Sequence, residues 1–153
     1  MTLSPALTEL LTSLDLDPHS IEALARQTIE EDLDGGVDVT SVATIPDSQQ
    51  SIAEFHARKS GYIAGLCVAA VVLEIVNVKD YTLHVKDGSR IEEGQLILSA
   101  HGNTRNLLLA ERSALNFLGR LSGIATLTHR WVAEISGTQT KVRDTRKTTP
   151  LLR

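Results

Sequence analysis

The chain has a single cysteine, Cys67, among its 153 residues, so no internal disulfide can form. That excludes a disulfide-stapled secreted scaffold. The apolar neighbours Leu66 and Val68 mark the thiol as a buried one, suited to a reducing cytoplasm. Aromatic residues make up 3% of the chain, too few for a base-stacking surface, and the net charge of −4 runs against a basic binding face, so no nucleic-acid partner is expected. The longest apolar stretch, residues 66–76, is broken by Glu74 and is too short to cross a bilayer. The first residues, Met1-Thr2-Leu3-Ser4-Pro5, lack the basic segment of a secretory signal. A cytoplasmic protein with no membrane partner is expected. The five histidines, His19, His56, His84, His101 and His129, never pair at i+3 or i+4, and without a second cysteine no zinc site is expected.

What is present is ordinary globular composition, 42% hydrophobic and 22% charged, with no internal repeat and enough length for a sizeable core. Ser4-Pro5 and Asp17-Pro18 are cap-and-proline starts of two helices, the first with Leu7, Leu10, Leu11 and Leu14 on one side and ending near Asp15. The second carries Ile21, Leu24, Ala25, Thr28 and Ile29 at helical spacing and stops at Gly35-Gly36. Residues 51–58 alternate, with Ala53, Phe55 and Ala57 on one face, and read as a half-buried strand. A short strand at 62–64, a buried helix over 65–76, and strands around Tyr81-Leu83-Val85 and over 95–100 follow, which predicts an antiparallel sheet. A helix from Asn103 with Leu107, Ala110, Ala114, Phe117, Leu118 and Leu121 inward is predicted to end at Ser122-Gly123. A shorter one then buries Ile124, Leu127, Trp131 and Ile135, and Thr138 to Asp144 has strand character.

Three stretches invite a functional reading. The run Glu30-Glu31-Asp32-Leu33-Asp34-Gly35-Gly36-Val37-Asp38 sets carboxylates around glycines, but the calcium-loop pattern counted from Asp32 needs a glutamate where Ala43 stands, so an acidic helix end is the better account. Residues 87–96 have the glycine-turn rhythm of a carrier-domain hairpin, yet offer no lysine at the tip. The third is Val142-Arg143-Asp144-Thr145-Arg146-Lys147-Thr148-Thr149-Pro150. Residues 138–153 hold five cations and one anion, a local +4 that leaves −8 for the remainder of the chain. Cations at the carboxyl end of a strand bind anions in α/β proteins, and arginine suits carboxylate or phosphate recognition. A charged strand end is also a common way to protect an edge from pairing, but the interleaved threonine hydroxyls favour a phosphate or carboxylate site.

Together with Leu109-Ala110-Glu111-Arg112-Ser113-Ala114-Leu115-Asn116-Phe117 and Leu121-Ser122-Gly123-Ile124-Ala125-Thr126, this run resembles the quinolinate phosphoribosyltransferase family (nicotinate-nucleotide pyrophosphorylase, carboxylating) of NAD biosynthesis. The resemblance implies an α+β N-terminal sandwich domain over residues 1–110. Residues 111–153 would then hold linking helices and the first strand of an incomplete parallel α/β barrel. It implies transfer of phosphoribosyl from phosphoribosyl pyrophosphate to quinolinate with loss of carbon dioxide, accompanied by magnesium whose ligands lie outside this chain. Substrate-binding residues carried over by position are Arg112, Thr145, Arg146 and Lys147, with Lys147 also catalytic. Arg112, beside Glu111 that could orient it, would reach the site of the neighbouring subunit in a homodimer with shared sites, while Arg105 is read as structural. Family members continue through further ligand-bearing segments that this chain lacks, and Leu151 stands at a usual glycine. Three readings therefore stay open: the N-terminal portion of an ordinary enzyme, an inactive anion-binding fragment, and a paralogue with another substrate.

Overall fold

The structure, a computed structural model, describes residues 3–145 and residue 147. Helix α1 (Pro5–Ser13) starts where Ser4 caps it, its hydroxyl accepting from the Leu7 N–H at 3.3 Å, and α2 (Pro18–Leu33) starts where Asp17 accepts from the Ser20 N–H at 3.0 Å. Both follow the cap-and-proline starts. α2 ends on Asp34 in the left-handed region at φ 47°, one residue ahead of the glycine pair expected to stop it. A six-residue helix, α3 (Val39–Thr44), was not anticipated. It buries only Ser41, so it carries no apolar periodicity to read.

Strands β1 (Gln50–His56), β3 (Asp80–Leu83) and β5 (Leu96–Asn103) form an antiparallel sheet in the order β1-β5-β3. The register pairs Phe55 with Leu98, Ala53 with Ala100 and Leu83 with Leu98, which sets one apolar face inward and leaves Ile52, Glu54, Thr82 and His101 outside. Strands β2 (Gly61–Tyr62) and β4 (Arg90–Ile91) pair as a separate two-stranded ribbon. The α+β sandwich is thus present with open, unclosed sheets.

Helix α4 (Leu66–Ile75) lies at the centre, with every residue from Leu66 to Glu74 buried. It packs against α1, α2 and the long helix α5 (Thr104–Glu134). A helix without a polar face must be covered all round. Its one carboxylate, Glu74, is 4% exposed and accepts from the Ser4 N–H (2.7 Å), the Ser4 hydroxyl (2.6 Å) and the Tyr81 hydroxyl (2.8 Å). Burial, then the Glu74 contact, push the Tyr81 phenol up. Asp87 caps the other end, accepting from the Leu66 N–H at 3.0 Å.

The two helices expected on either side of Ser122-Gly123 are one, α5, which runs unbroken for 31 residues. A glycine inside a helix costs stability without ending it, and here side-chain anchors hold the helix on both sides. The Ser122 hydroxyl accepts from the Ala64 N–H at 3.0 Å and donates to the Ala64 carbonyl at 3.2 Å. One turn later Thr126 Oγ1 accepts from the Tyr62 N–H at 2.9 Å, and His129 stacks on Tyr62 at 3.8 Å between centroids. The helix lies so close that a Cβ on Gly61 would meet Thr126 Oγ1 at 2.6 Å, and one on Gly65, at φ +96°, would meet Leu121 at 2.8 Å. Beyond that contact Ile124, Leu127 and Trp131, the apolar side of the expected second helix and the stripe expected to stay uncovered without the remainder of a barrel, are 52%, 56% and 62% exposed, because the described residues place nothing over this face. The stretch with strand character, Thr138 to Asp144, carries no ladder: a strand is defined by its neighbours, and no described residue pairs with it.

Replacing Gly123 by alanine should stabilise the chain by about 1 kcal/mol, since a Cβ there meets nothing within 4 Å and the position is helical. Chemical denaturation checks it, and a loss of stability would contradict the continuous helix. Glu74→Met should cost ~1–3 kcal/mol by leaving the Ser4 and Tyr81 donors without an acceptor. An unchanged denaturation midpoint would show that the three hydrogen bonds contribute nothing net.

Candidate functional site

Arg112 projects from the third turn of α5, where the helix passes the carboxyl end of α2. Its Nη1 donates to Asp32 Oδ1 at 2.7 Å, with the arginine side chain 72% exposed and that of Asp32 only 23%. The Asp32 hydrogen bond and charge, and more weakly the charges of Asp38 and Glu111, push the guanidinium above its ordinary value. Glu111, expected to orient Arg112, therefore acts only through space. Adjacent residues on a helix point in different directions, and the orienting carboxylate comes from α2.

The acidic run divides its work among three places. Asp32 pairs with Arg112, Asp34 terminates α2, and Asp38 caps α3 by accepting from the Ser41 N–H and hydroxyl. Those bonds, with a small addition from Arg112, hold the Asp38 carboxyl below its usual range. Arg105 is structural, as expected: Nε and Nη2 donate to the Ile45 carbonyl at 2.9 and 2.6 Å, and Nη2 also to Val42, tying the last turn of α3 to the base of α5. Cys67 is buried, and desolvation followed by the nearby Asp87 charge pushes its thiol up to about 12, which keeps it protonated and inert.

The cationic tail leaves α5 through Gly137 at φ +83°, and Val132, Ile135, Thr138, Lys141 and Val142 line an open groove there. Thr145 Oγ1 accepts from the Lys147 N–H at 3.0 Å, and both residues are exposed. Arg146 lies outside the described residues. Among the described residues no hydrogen bond or ion pair joins Arg112 to Thr145 or Lys147; the two parts of the expected site stand on separate elements. Among the described residues no three His, Cys, Asp or Glu side chains converge on one point. No helix among them is long and apolar enough to cross a membrane.

Sequence reasoning missed Asp32 as the partner of Arg112. It also missed the hydroxyls of Ser122 and Thr126, which sit at i and i+4 opposite backbone groups two residues apart in the extended segment from Tyr62 to Ala64. The i, i+4 spacing was visible, but its partner was not.

Residues 38–122 match the family described as quinolinate phosphoribosyl transferase, N-terminal domain, and residues 124–153 match the C-terminal domain of the same name. Nicotinate-nucleotide pyrophosphorylase [carboxylating] of Mycobacterium leprae is 44% identical over 131 residues, spanning 84% of this chain and 46% of the relative. A probable enzyme of the same name from Bacillus subtilis is 42% identical over 127 residues, 80% of this chain and 42% of its own length. The crystal structure of NadC from Streptococcus pyogenes superposes with a TM-score of 0.82 at 36% identity, covering 90% of this chain and 49% of that one. The chain thus spans less than half the length of these curated relatives.

Asp38→Ala should loosen α3, at a local cost of about 1 kcal/mol for a lost cap. Amide exchange at Val42 and Ile45 should quicken. Acid should act alike, because a carboxyl held low stabilises above its unfolded value of 3.8 and loses that contribution as pH falls through its lower folded value. Exchange unaltered by the substitution would exclude Asp38 as the cap that matters.

Proposed function

Because the chain belongs to the quinolinate phosphoribosyltransferase family, we propose that it contributes the sandwich domain, residues 1–110, and the entry to the barrel, residues 111–153, of an enzyme that transfers phosphoribosyl to quinolinate. Nicotinate mononucleotide, pyrophosphate and carbon dioxide are the products. The observation that carries this reading is the unbroken succession of both family domains along one chain, 38–122 and then 124–153. The residues suit the chemistry. Quinolinate brings two carboxylates and the donor several phosphate charges, while the transition state develops positive charge at the anomeric carbon. Arg112, Arg146 and Lys147 hold those anions in register, with Thr145 adding a hydroxyl, and Lys147 favours departure of the leaving group as a fixed point charge. Alkylation of the ring nitrogen then leaves a cation that stabilises the electron pair left on the adjacent ring carbon as carbon dioxide departs, and a proton from solvent takes the place of the lost carboxylate there.

Arg112 and the tail serve different sites of a homodimer in this reading. Arg112 stands on α5 beside α2, away from the tail's hydrogen bonds, and is offered to the partner's pocket. The chain by itself is an anion-binding part without turnover, since it spans 46% of the Mycobacterium leprae relative and a barrel strand without neighbours builds no pocket. Another substrate is the remaining alternative, because the specificity-bearing remainder of the barrel is not within these residues.

The purified chain should form no nicotinate mononucleotide above the uncatalysed rate. Carried on a complete barrel, Arg112→Ala and Arg146→Ala should each abolish most activity, each removing a charge-assisted contact worth ~1.5–3 kcal/mol. Mixed and allowed to exchange subunits, the two variants should recover activity, because one composite site of each heterodimer then holds both arginines. Exchange without recovery would place Arg112 in its own subunit's site, or in a purely structural role.

A further inference from the structure

The last turn of α2 breaks a local rule. The negative end of a helix dipole favours cations, yet α2 has no basic residue in its last turn and crowds Glu30, Glu31, Asp32 and Asp34 there. A cation from another helix pairs with this group: Arg112, bound through a single nitrogen to Asp32. Unfavourable local choices of this kind gather at functional sites.

The exposures separate the roles of the two partners. Asp32 is 23% exposed at the side chain and stands on a helix anchored in the core by Ala25 and Ile29. Arg112 is 72% exposed. The rigid partner is the acid and the projecting one is the base. One hydrogen bond to Nη1 occupies a single N–H of the five that a guanidinium carries, leaving donors for a second, planar acceptor. Asp38, the other nearby carboxylate, is committed to the cap of α3 and reaches Arg112 only as a charge.

We propose that Asp32 is a positioning residue for anion recognition: it fixes the Arg112 guanidinium at the end of α2 so that the remaining N–H donors face outward toward a substrate carboxylate. The inference rests on the reading of Arg112 as a substrate-binding residue. A mainly stabilising role fits poorly, because an ion pair with one partner so exposed contributes little to stability. What the pair does achieve is restraint of a long side chain before the ligand arrives, so that less rotamer freedom is lost on binding.

The charge of Asp32 and its acceptor oxygen can be separated. Asp32→Ala removes both, freeing Arg112. Asp32→Asn keeps the acceptor and deletes the negative charge that would repel an incoming carboxylate. In the enzyme carried on a complete barrel, with quinolinate as the varied substrate, Asp32→Ala should raise KM roughly ten-fold, as loss of an orienting outer partner does elsewhere. It should change kcat less and leave the melting temperature in place. Asp32→Asn should not raise KM. An unchanged KM in Asp32→Ala, or equal impairment in both variants, overturns the proposal. If the alanine variant does not fold, Asp32→Asn decides alone, and a raised KM counts against positioning through the acceptor. Arg112→Ala is the control that separates the two claims. A raised KM there with none in Asp32→Ala removes only Asp32. An unaltered KM in Arg112→Ala removes the substrate-binding role of Arg112, and the role of Asp32 with it.

Discussion

The constraint on which the rest of the molecule depends is the burial of α4 on all sides. Nine consecutive residues, Leu66 to Glu74, are withdrawn from water, and such a helix is stable only when other elements cover every face. α1, α2 and α5 supply that cover. The same burial explains two polar contacts at a distance in sequence. The Glu74 carboxylate cannot be left unpaired in such surroundings, so Ser4 and Tyr81 converge on it and pin α1 and β3 to the core. Asp87 likewise satisfies the Leu66 N–H, a donor without an intrahelical acceptor at the start of α4.

The path from this core to the cationic tail runs through α5. Its first half is packed by Leu107, Ala110, Ala114 and Leu118, while its second half is held by hydroxyls and a stacked ring. The backbone groups of Tyr62 and Ala64 would otherwise remain an open strand edge, and Ser122 and Thr126 close it in place of another strand. Gly61 and Gly65 permit the approach, since a side chain at either would collide with the helix. The result is a continuous 31-residue helix that packs on the sandwich through its first half and leads into the tail at its end.

Arg112 sits on the same helix, so its place is set by how α5 crosses α2 rather than by its own neighbours in sequence. The acidic end of α2 meets it there, and Asp38 at the start of α3 adds a second negative charge. The arginine thus holds its charge firmly while most of its surface faces solvent. Thr145 and Lys147 share a hydrogen bond of their own, on a separate element. A family match that crosses from 38–122 into 124–153 ties the two places to one kind of protein.

Much of this was legible from residues alone. Caps at Ser4 and Asp17, alternation over residues 51–58 and the apolar run of residues 66–76 each encode a local preference strong enough to survive packing. The motif around Arg112 and the run ending in Thr145-Arg146-Lys147 carried the family for the same reason: they are ordered strings of residue types, and order is what a sequence contains. Tertiary structure alone decided the continuity of α5 through Gly123, because a glycine is neutral between a break and a tolerated cost until Ser122 and Thr126 find the backbone of another segment. It alone decided that the partner of Arg112 is Asp32, 80 residues away, and not the adjacent Glu111. Periodicity reports which residues share a face; which foreign side chain meets that face depends on how elements cross, and no local pattern records it.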